Sequence, residues 1–168
     1  PGIVPIIAKT AAEAIDRKRA LDELATDAEL HKLALRIGVP EDALKLDEPI
    51  PFELVPKDKE FNASHGFRDA VLELARSENL TVREIIYRNG GGHPQVIGTP
   101  IDVADTITTW YQSGAVDGFN LIFDVLPEGL EQFVDEVVPI LQERGIFQNG
   151  YAGKTFRESL RLPNTYHE

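Results

Sequence analysis

The sequence predicts an α/β fold with parallel strands. Two short apolar runs, at 96–97 and 119–123, flank a helix whose start and end both carry signals, which is the pattern of a β-α-β unit. A third apolar run, at 3–7, is likewise followed by a helix start. The run at 119–123 does not alternate with polar residues, which is typical of strands that are covered on both faces.

The helix of the β-α-β unit has a well-defined start and end. The Thr99 side chain can cap its start, and Pro100 can occupy its first position. Asp102, at the third position, can accept a hydrogen bond from the backbone N–H of Thr99. Gly114 is the residue type that tolerates the left-handed conformation at a helix end. The order strand, helix, strand predicts a right-handed crossover between parallel strands.

The opening of the chain predicts another β-α unit. Residues 3–7 are expected to form a strand, in which Pro5 fits poorly because proline cannot donate to a central ladder. Thr10 and Glu13 then form a capping box that starts a long helix. A further helix is expected at about 27–37.

Residues 39–66 are predicted to be an insertion. They lack a regular period, and prolines at positions 40, 49, 51 and 56 lie among charged residues. Such a segment is expected to cross the surface, and loops of this length are commonly lids over a site or disordered. Helices are expected to follow it, around 67–75 and after the capping box that begins at Thr81.

The last β-α-β-α units, 94–145, lead into a carboxy-terminal tail. Apolar residues at core spacing predict a helix after Pro127, and Pro139 within it should kink it or divide it in two. The tail, 146–168, carries three apolar residues that are candidates for docking on the rest of the protein: Phe156, Leu160 and Leu162.

Three parallel strands cannot close on themselves. A complete (β/α)8 barrel takes roughly 250 residues, whereas this chain has 168. The pattern therefore favours the carboxy-terminal part of a barrel whose remaining strands are supplied by further sequence. A small open three-stranded α/β domain is the alternative.

Composition excludes several functional classes. The formal net charge of -11 opposes binding to nucleic acid or to an anionic membrane. The absence of cysteine excludes disulfides, thiolate nucleophiles and cysteine-based metal sites. No apolar run approaches the roughly 20 residues of a membrane helix, and no signal segment opens the chain, so a cytoplasmic location is expected. Because Pro1 stands where methionine is usual, we expect processing or a partial sequence.

Candidate pocket residues follow the last predicted strand. Phe123, Asp124 and Val125 lie at its exit, where side chains of parallel sheets line binding sites. Asp124 can orient a substrate or cap the next helix, and the sequence leaves both open. Asn120 lies inside the apolar run, so it needs a hydrogen-bond partner if it is buried, either as a structural bridge or as a pocket residue.

Two glycine-containing segments resemble anion sites only superficially. Residues 90–93, Gly-Gly-Gly-His, come after a helix and before a strand, which is the reverse of a phosphate loop. They are expected to be a turn at the non-catalytic end, together with His93. The turn at 98–100 does precede a helix, but capping by Thr99 and the negative charge of Asp102 favour a structural role.

Histidine offers one candidate for proton transfer. His65 lies at the end of the predicted insertion, where a side chain that titrates near neutral pH could act on a mobile lid, or could simply be a solvated helix-start residue. His31 and His167 have no partner at ligand spacing, so no metal site is predicted.

Several segments together resemble a known family. They are LTVRE at 80–84, VIGTPIDVAD at 96–105, GAVDGFNL at 114–121, LPEGLEQFV at 126–134 and YAGKTFRESL at 151–160. With the opening PGIVP and the Thr10 capping box, the likeness covers nearly the whole chain. The chain is similar to the carboxy-terminal third of flavin-dependent monooxygenases of the nitrilotriacetate, dibenzothiophene-sulfone and pristinamycin-synthase type, within the bacterial luciferase-like superfamily.

The resemblance implies a TIM barrel of the luciferase-like type, usually dimeric or a dimer of dimers. It implies reduced FMN, supplied by a separate NAD(P)H:flavin reductase, that reacts with oxygen to oxygenate a small organic substrate. The family's main flavin contacts come from earlier strands, so no cofactor residue is assigned on this chain and the chain alone is expected to be inactive. The alternatives are a non-catalytic α/β module and a deazaflavin-dependent oxidoreductase of the same superfamily, which the matches at 117–120 and 126–130 disfavour.

Overall fold

Three parallel strands form the centre of the fold. They are β1 (Gly2–Ile7), β2 (Gln95–Gly98) and β3 (Asn120–Leu121), and their order across the sheet is β2-β1-β3. This computed structural model describes residues 1–25, 27–57, 61–62, 64–88, 92–160 and 162–163. The α/β class and the parallel arrangement predicted from the sequence are confirmed.

Eight α-helical segments are described around the sheet. They are α1 (Ala11–Glu23), α2 (Asp27–Ile37), α3 (His65–Ser77), α4 (Val82–Tyr87), α5 (Pro100–Gln112), α6 (Glu128–Gln132), α7 (Val138–Glu143) and α8 (Phe156–Ser159). Short 3-10 turns occur at Glu41–Ala43 and Phe52–Leu54, and a π-helical segment, Phe133–Val137, joins α6 to α7.

Strand β1 lies at the centre of the sheet, between β2 and β3. The order along the chain alone would place β2 in the middle, because consecutive strands are usually neighbours. Strand β1 is buried at all six positions, and the central place provides a partner for each of its edges. Within the described residues the sheet is open, since the outer edges of β2 and β3 have no strand partner, which is consistent with part of a barrel.

Pro5 is accommodated in the central strand because β3 is short. β3 pairs only with Gly2 and Ile3, whereas β2 pairs with positions 4–7 of β1. Backbone N–H groups point alternately to the two sides of a strand, and the N–H of Val4 points to β2. The nitrogen of Pro5 therefore faces the side on which β3 has already ended, and no ladder hydrogen bond is lost.

Strand β3 is shorter and more exposed than predicted. The apolar run at 119–123 contributes only two residues to the sheet, and Ile122 is 38% exposed. Asn120 is exposed rather than buried, so the expectation of a buried polar bridge is wrong for this chain. The reason is that β3 is an edge strand, paired to β1 alone among the described residues.

The helix starts and ends predicted from the sequence are confirmed. Capping boxes formed by Thr10, Thr81 and Thr99 begin α1, α4 and α5. Gly114 follows α5 with φ of +71°, a conformation that glycine adopts without strain. Pro139 divides the last helix as predicted, because α7 begins at Val138, directly after the π-helical segment.

The described residues form two hydrophobic cores. The first packs α5, the π-helical segment and α7 against one face of the sheet, where Ile3 and Ile7 of β1 meet Val103, Ile107 and Val137. The second joins α2, α3 and α4, and its fully buried members include Ile37, Val71, Val82 and Ile85. The helices between β1 and β2 thus have a core of their own.

The first part of the predicted insertion belongs to this second core. Val39, Leu44 and Ile50 are 4%, 5% and 3% exposed and pack with α2, α3 and α4. Three apolar side chains of residues 39–57 thus anchor the segment in this core, whereas its other residues are partly or fully exposed, and its nature as an insertion stays a prediction. Residues 58–60 and 63 lie outside the described residues, and a lid function for 39–66 stays a prediction.

The tail does not dock in the way the sequence suggested. Phe156, Leu160 and Leu162 are 79%, 52% and 48% exposed, so the prediction that they pack on the described part of the chain is wrong. Residues 161 and 164–168, including His167, lie outside the described residues.

Candidate functional site

The side chain of Asp124 lies at the carboxyl ends of β1 and β3, where it is bound by Arg17 of α1. Arg17 Nε donates to Asp124 Oδ2 at 2.6 Å, and Arg17 Nη2 donates to Asp124 Oδ1 at 3.0 Å. The Asp124 side chain is 4% exposed and that of Arg17 is 29% exposed. The charge of this nearly buried carboxylate is thus compensated by a bidentate ion pair with the guanidinium.

The same guanidinium ties two further elements to this position. Arg17 Nη1 donates to the carbonyl oxygen of Ile7, the last residue of β1, at 3.0 Å. It also donates to Gln132 Oε1 of α6 at 3.2 Å. One side chain therefore joins α1, the end of β1, the exit of β3 and α6.

Asp124 also shapes the turn that follows it. Its Oδ1 accepts a hydrogen bond from the backbone N–H of Val125 at 2.9 Å. A Cβ atom at Gly129 would lie 2.9 Å from the same oxygen, so the helix start approaches Asp124 closely. Of the two roles that the sequence left open, this geometry favours the structural one, and orientation of a substrate by Asp124 stays a prediction.

A cavity of about 250 Å³ adjoins two of the predicted pocket residues. Phe123 and Asp124 line it together with Val4 and Ile6 of β1 and Ile122. The Phe123 ring also packs on Phe133, with 6.0 Å between ring centroids. Two of the four predicted residues thus line a cavity that lies between the sheet and the helices α1 and α4, whereas Val125 is 41% exposed and Asn120 does not line this cavity.

A larger cavity, of about 690 Å³, adjoins the first and shares Lys18, Tyr87 and Gln95 with it. Its polar lining includes Lys18, Tyr87, Arg88, His93 and Gln95. Its two basic side chains are already paired, Lys18 with Asp22 and Arg88 with Glu78. His93 thus lines this cavity, and its assignment to the non-catalytic side of the barrel stays a prediction. Gly90 and Gly91 lie outside the described residues.

The start of α5 is closed to anions by its own side chain. The backbone N–H of Thr99 donates to Asp102 Oδ2 at 2.8 Å, and the Thr99 hydroxyl donates to the same oxygen at 2.7 Å. These two bonds, of which the one from the backbone N–H has the larger effect, hold the pKa of Asp102 below its usual range. The carboxylate therefore occupies the place that a phosphate would take, and the predicted capping role is confirmed.

His65 begins α3 and is exposed. Its ring contacts that of Phe61, with 5.4 Å between the centroids at nearly perpendicular planes. His65 does not line either of the two cavities described above, and a role in proton transfer stays a prediction. Among the residues that the structure describes, no group of three or more metal-binding side chains comes together.

Sequence reasoning missed Arg17 and Gln132. Arg17 lies three residues after Ala14, which is fully buried, and therefore on the side of α1 that faces the sheet. A basic residue on a buried helix face needs an acidic partner, which was the available signal. Helical spacing cannot show which acid it meets, because Asp124 is 107 positions away.

Comparison with known proteins places the chain in context. No family model matches it. It is 40% identical over 171 residues to N-acetyl-S-(2-succino)cysteine monooxygenase of Bacillus subtilis, with 96% of this chain and 37% of that protein covered. It is 37% identical over 166 residues to nitrilotriacetate monooxygenase component A of Aminobacter aminovorans, with 96% and 36% covered. Its relatives are flavin-dependent monooxygenases of the luciferase-like family.

Solved structures of the luciferase-like family support the same relationship. DmoA of Hyphomicrobium sulfonivorans superimposes with a TM-score of 0.73 at 28% identity, over 97% of this chain and 34% of that one. Riboflavin lyase RcaE, whose structure contains modified FMN, gives a TM-score of 0.64 at 26% identity, over 95% and 34%. The resemblance inferred from the sequence motifs is confirmed. The chain spans little more than a third of the length of the relatives it matches.

Two positions near helix starts and strand ends are filled by side chains of the chain itself. The helix start best placed to receive a phosphate is closed by Asp102, and the carboxyl ends of β1 and β3 are bridged by the Arg17 and Asp124 side chains. That the family's main flavin contacts lie on other strands stays a prediction. None of the helices in the described residues combines the length and the hydropathy needed to span a bilayer.

Proposed function

We propose that the whole protein is an FMN-dependent two-component monooxygenase, of whose barrel this chain forms the carboxy-terminal part. It uses reduced FMN and O2 to oxygenate a small organic substrate, and an NAD(P)H:flavin reductase supplies the reduced flavin. The observation that carries the proposal is the match of nearly the entire chain to monooxygenases of the luciferase-like family. The protein acts in the cytoplasm as a homo-oligomer.

Within that enzyme, this chain stabilises part of the barrel and positions residues that line a cavity. The ion pair of Arg17 and Asp124 holds the exit of β3 against β1, and Phe123 closes the adjacent cavity with an apolar wall. The pocket residues are Phe123, Asp124, Val125 and Asn120, and His65 is the candidate for proton transfer. No step through the flavin is assigned to these residues, because we place its main contacts on other strands of the whole protein.

The names of two relatives that match nearly the whole chain indicate a class of substrate. One is named for N-acetyl-S-(2-succino)cysteine and the other for nitrilotriacetate, both small carboxylates. We therefore propose a small carboxylate as the substrate. Testing a panel that contains carboxylates, sulfones and alkanes for substrate-dependent oxygen consumption distinguishes this class from those of other relatives, and equal rates with an alkane would contradict it.

Binding of reduced FMN tests the proposed function. Under anaerobic conditions, the whole protein should bind reduced FMN saturably at micromolar concentration, and the 168-residue chain should not. Absence of binding by the whole protein would contradict the monooxygenase. Saturable binding by the chain alone would contradict the placement of the cradle on other strands and leave the cofactor assignment intact.

A further inference from the structure

The chain between α7 and α8 is anchored on either side of a short open stretch. Before it, Gln142 Nε2 donates to the carbonyl oxygen of Gln148 at 3.0 Å. After it, the backbone N–H of Lys154 donates to Glu158 Oε2 at 2.7 Å. Residues 149–153, between these two contacts, belong to no helix or strand. This stretch is therefore free to change its backbone conformation while its flanks are held.

The open stretch begins with an asparagine that is followed by a glycine. Asn149 and Gly150 are both exposed. Among the residues that the structure describes, neither the Asn149 side chain nor the Gly150 N–H has a hydrogen-bond partner within the chain. A Cβ atom at Gly150 would meet no atom within 4 Å. The side-chain carbonyl of Asn149 and the nitrogen that follows it are thus both unoccupied and unobstructed.

These two groups can react with each other in water. The nitrogen of Gly150 loses its proton and attacks the side-chain carbonyl carbon of Asn149, which makes a new C–N bond and closes a succinimide ring. The bond from that carbon to the side-chain nitrogen breaks, and the nitrogen leaves as ammonia. Water then opens the ring at either carbonyl and leaves aspartate or isoaspartate. The balance is water taken up and ammonia released, and no oxidant or reductant is needed.

We propose that Asn149 is a site of spontaneous deamidation in the folded chain. Glycine at the next position favours ring closure, because it has no Cβ to hinder the approach of its nitrogen and because its backbone is the least restricted. A hydrogen-bonded N–H or a regular helix would oppose the reaction, since the backbone must rotate to bring the two groups together. Asn149 meets neither obstacle.

Asn79 shows how the fold protects another exposed asparagine of the same chain. It is exposed, as Asn149 is, but the next residue is Leu80, which is 6% exposed. The N–H of Leu80 donates to the carbonyl oxygen of Ala75 at 3.1 Å. The nitrogen that would have to attack is therefore occupied and held, and Asn79 serves as an internal control.

The products alter the start of the carboxy-terminal tail. Both add a negative charge to a chain that already carries -11. Isoaspartate also routes the main chain through the former side chain, which lengthens the backbone by a methylene group. Because Gln148 is held by Gln142, the change in direction passes to the residues after Gly150.

Peptide mapping of the 168-residue chain during incubation at physiological temperature tests the proposal. Trypsin releases residues 145–154, whose single asparagine is Asn149, and residues 77–83, which contain Asn79. The first peptide should gain about one mass unit over days and should separate into two products, of which a protein isoaspartate methyltransferase labels one. The second should stay unchanged. Residues 89–90, also Asn-Gly, lie outside the described residues and in a different tryptic peptide.

Variants and buffer conditions identify the reaction. Asn149→Gln should abolish the mass gain, because a larger ring closes far more slowly. Gly150→Ala should slow the gain by about tenfold, since its methyl group hinders ring closure. Gly118→Ala is the matched control, because an added Cβ meets nothing within 4 Å at either glycine, and it should leave the rate unchanged. The rate should rise from mildly acidic to mildly alkaline buffer, since the attacking nitrogen must lose its proton.

A synthetic peptide of residues 145–154 separates the effect of the fold from that of the sequence. Asn149 should react at similar rates in the peptide and in the folded chain, whereas Asn79 should react faster in a peptide of residues 77–83 than in the chain. Three results would overturn the proposal: an Asn149 that is far slower in the chain than in its peptide, an Asn149 no faster than Asn79, or a rate that Gly150→Ala leaves unchanged. The measurement involves no flavin, so its outcome is independent of the proposed oxygenase function.

Discussion

Arg17 and Asp124 form an ion pair that joins the first helix to the exit of the last strand. The two residues are 107 positions apart in sequence, and two hydrogen bonds of 2.6 and 3.0 Å connect them. Because β3 shares only two residue pairs with β1, this contact is a main attachment of the β3 exit to the sheet. The adjoining cavity depends on the same attachment.

Asp124→Asn should lower the free energy of unfolding by about 2–3 kcal/mol, since removal of the charge leaves a partly buried guanidinium without its counter-ion. Chemical denaturation measures the change. Asp42→Asn is the control, because Asp42 is an exposed acid in a 3-10 turn, and it should change stability by less than about 0.5 kcal/mol. Equal effects of the two substitutions would show that the Arg17 contact contributes little.

Ile50→Ala should destabilise the protein by about 2–4 kcal/mol, because it removes a side chain that is 3% exposed and leaves a cavity among α2, α3 and α4. Leu54→Ala is the control within the same segment, since Leu54 is 48% exposed and should lose well under about 1 kcal/mol by the same reasoning. A mobile surface crossing would instead tolerate both changes equally. Thermal unfolding of the two variants distinguishes these cases.

Gly98→Ala should destabilise the start of α5. An added Cβ would lie 2.6 Å from Asp102 Oδ2 and 2.8 Å from Asp102 Cβ, so the capping box must open, which costs about 0.5–2 kcal/mol. Gly66→Ala is the control, because Gly66 lies in the first turn of α3 and its new Cβ would meet nothing within 4 Å. That substitution should be neutral or stabilising. The midpoint of thermal unfolding should therefore fall for Gly98→Ala and should stay unchanged or rise for Gly66→Ala.

Stability should fall in acid partly through Asp102 and Glu84. Hydrogen bonds from the backbone N–H and hydroxyl of Thr99 and of Thr81 hold the pKa of each carboxyl below its usual range. A pKa that is lower in the folded state stabilises the fold above the unfolded pKa, which is about 3.9 for aspartate and 4.3 for glutamate. That contribution disappears as the pH falls through the lower, folded pKa.

Unfolding free energies measured from about pH 6 down to pH 2 check this sign. Asp102→Ala should be less stable than wild type at neutral pH and should lose less stability on acidification, so the two curves approach each other at low pH. Parallel curves would contradict the assignment. Titration of the Asp102 carboxyl by NMR gives the shifted pKa directly.

Local features of the fold were predictable from the sequence because they depend on neighbouring residues. The capping boxes at Thr10, Thr81 and Thr99 involve side chains three positions apart, and the end of α5 at Gly114 depends on one backbone conformation. Phe123 and Asp124 were predicted to line a pocket and do line a cavity beside the sheet. The family resemblance was also carried by short local motifs, and the comparisons confirmed it.

The sequence by itself determined the helix boundaries, the parallel α/β class and the kinship with flavin-dependent monooxygenases, since each is a matter of residue types at short spacing. The tertiary structure alone decided that β1 is central, that β3 has only two residues, that Val39, Leu44 and Ile50 are buried, and that Arg17 binds Asp124. Strand order and ion-pair partners depend on which distant surfaces meet, because burial and charge compensation are satisfied by the whole chain and not within any one segment.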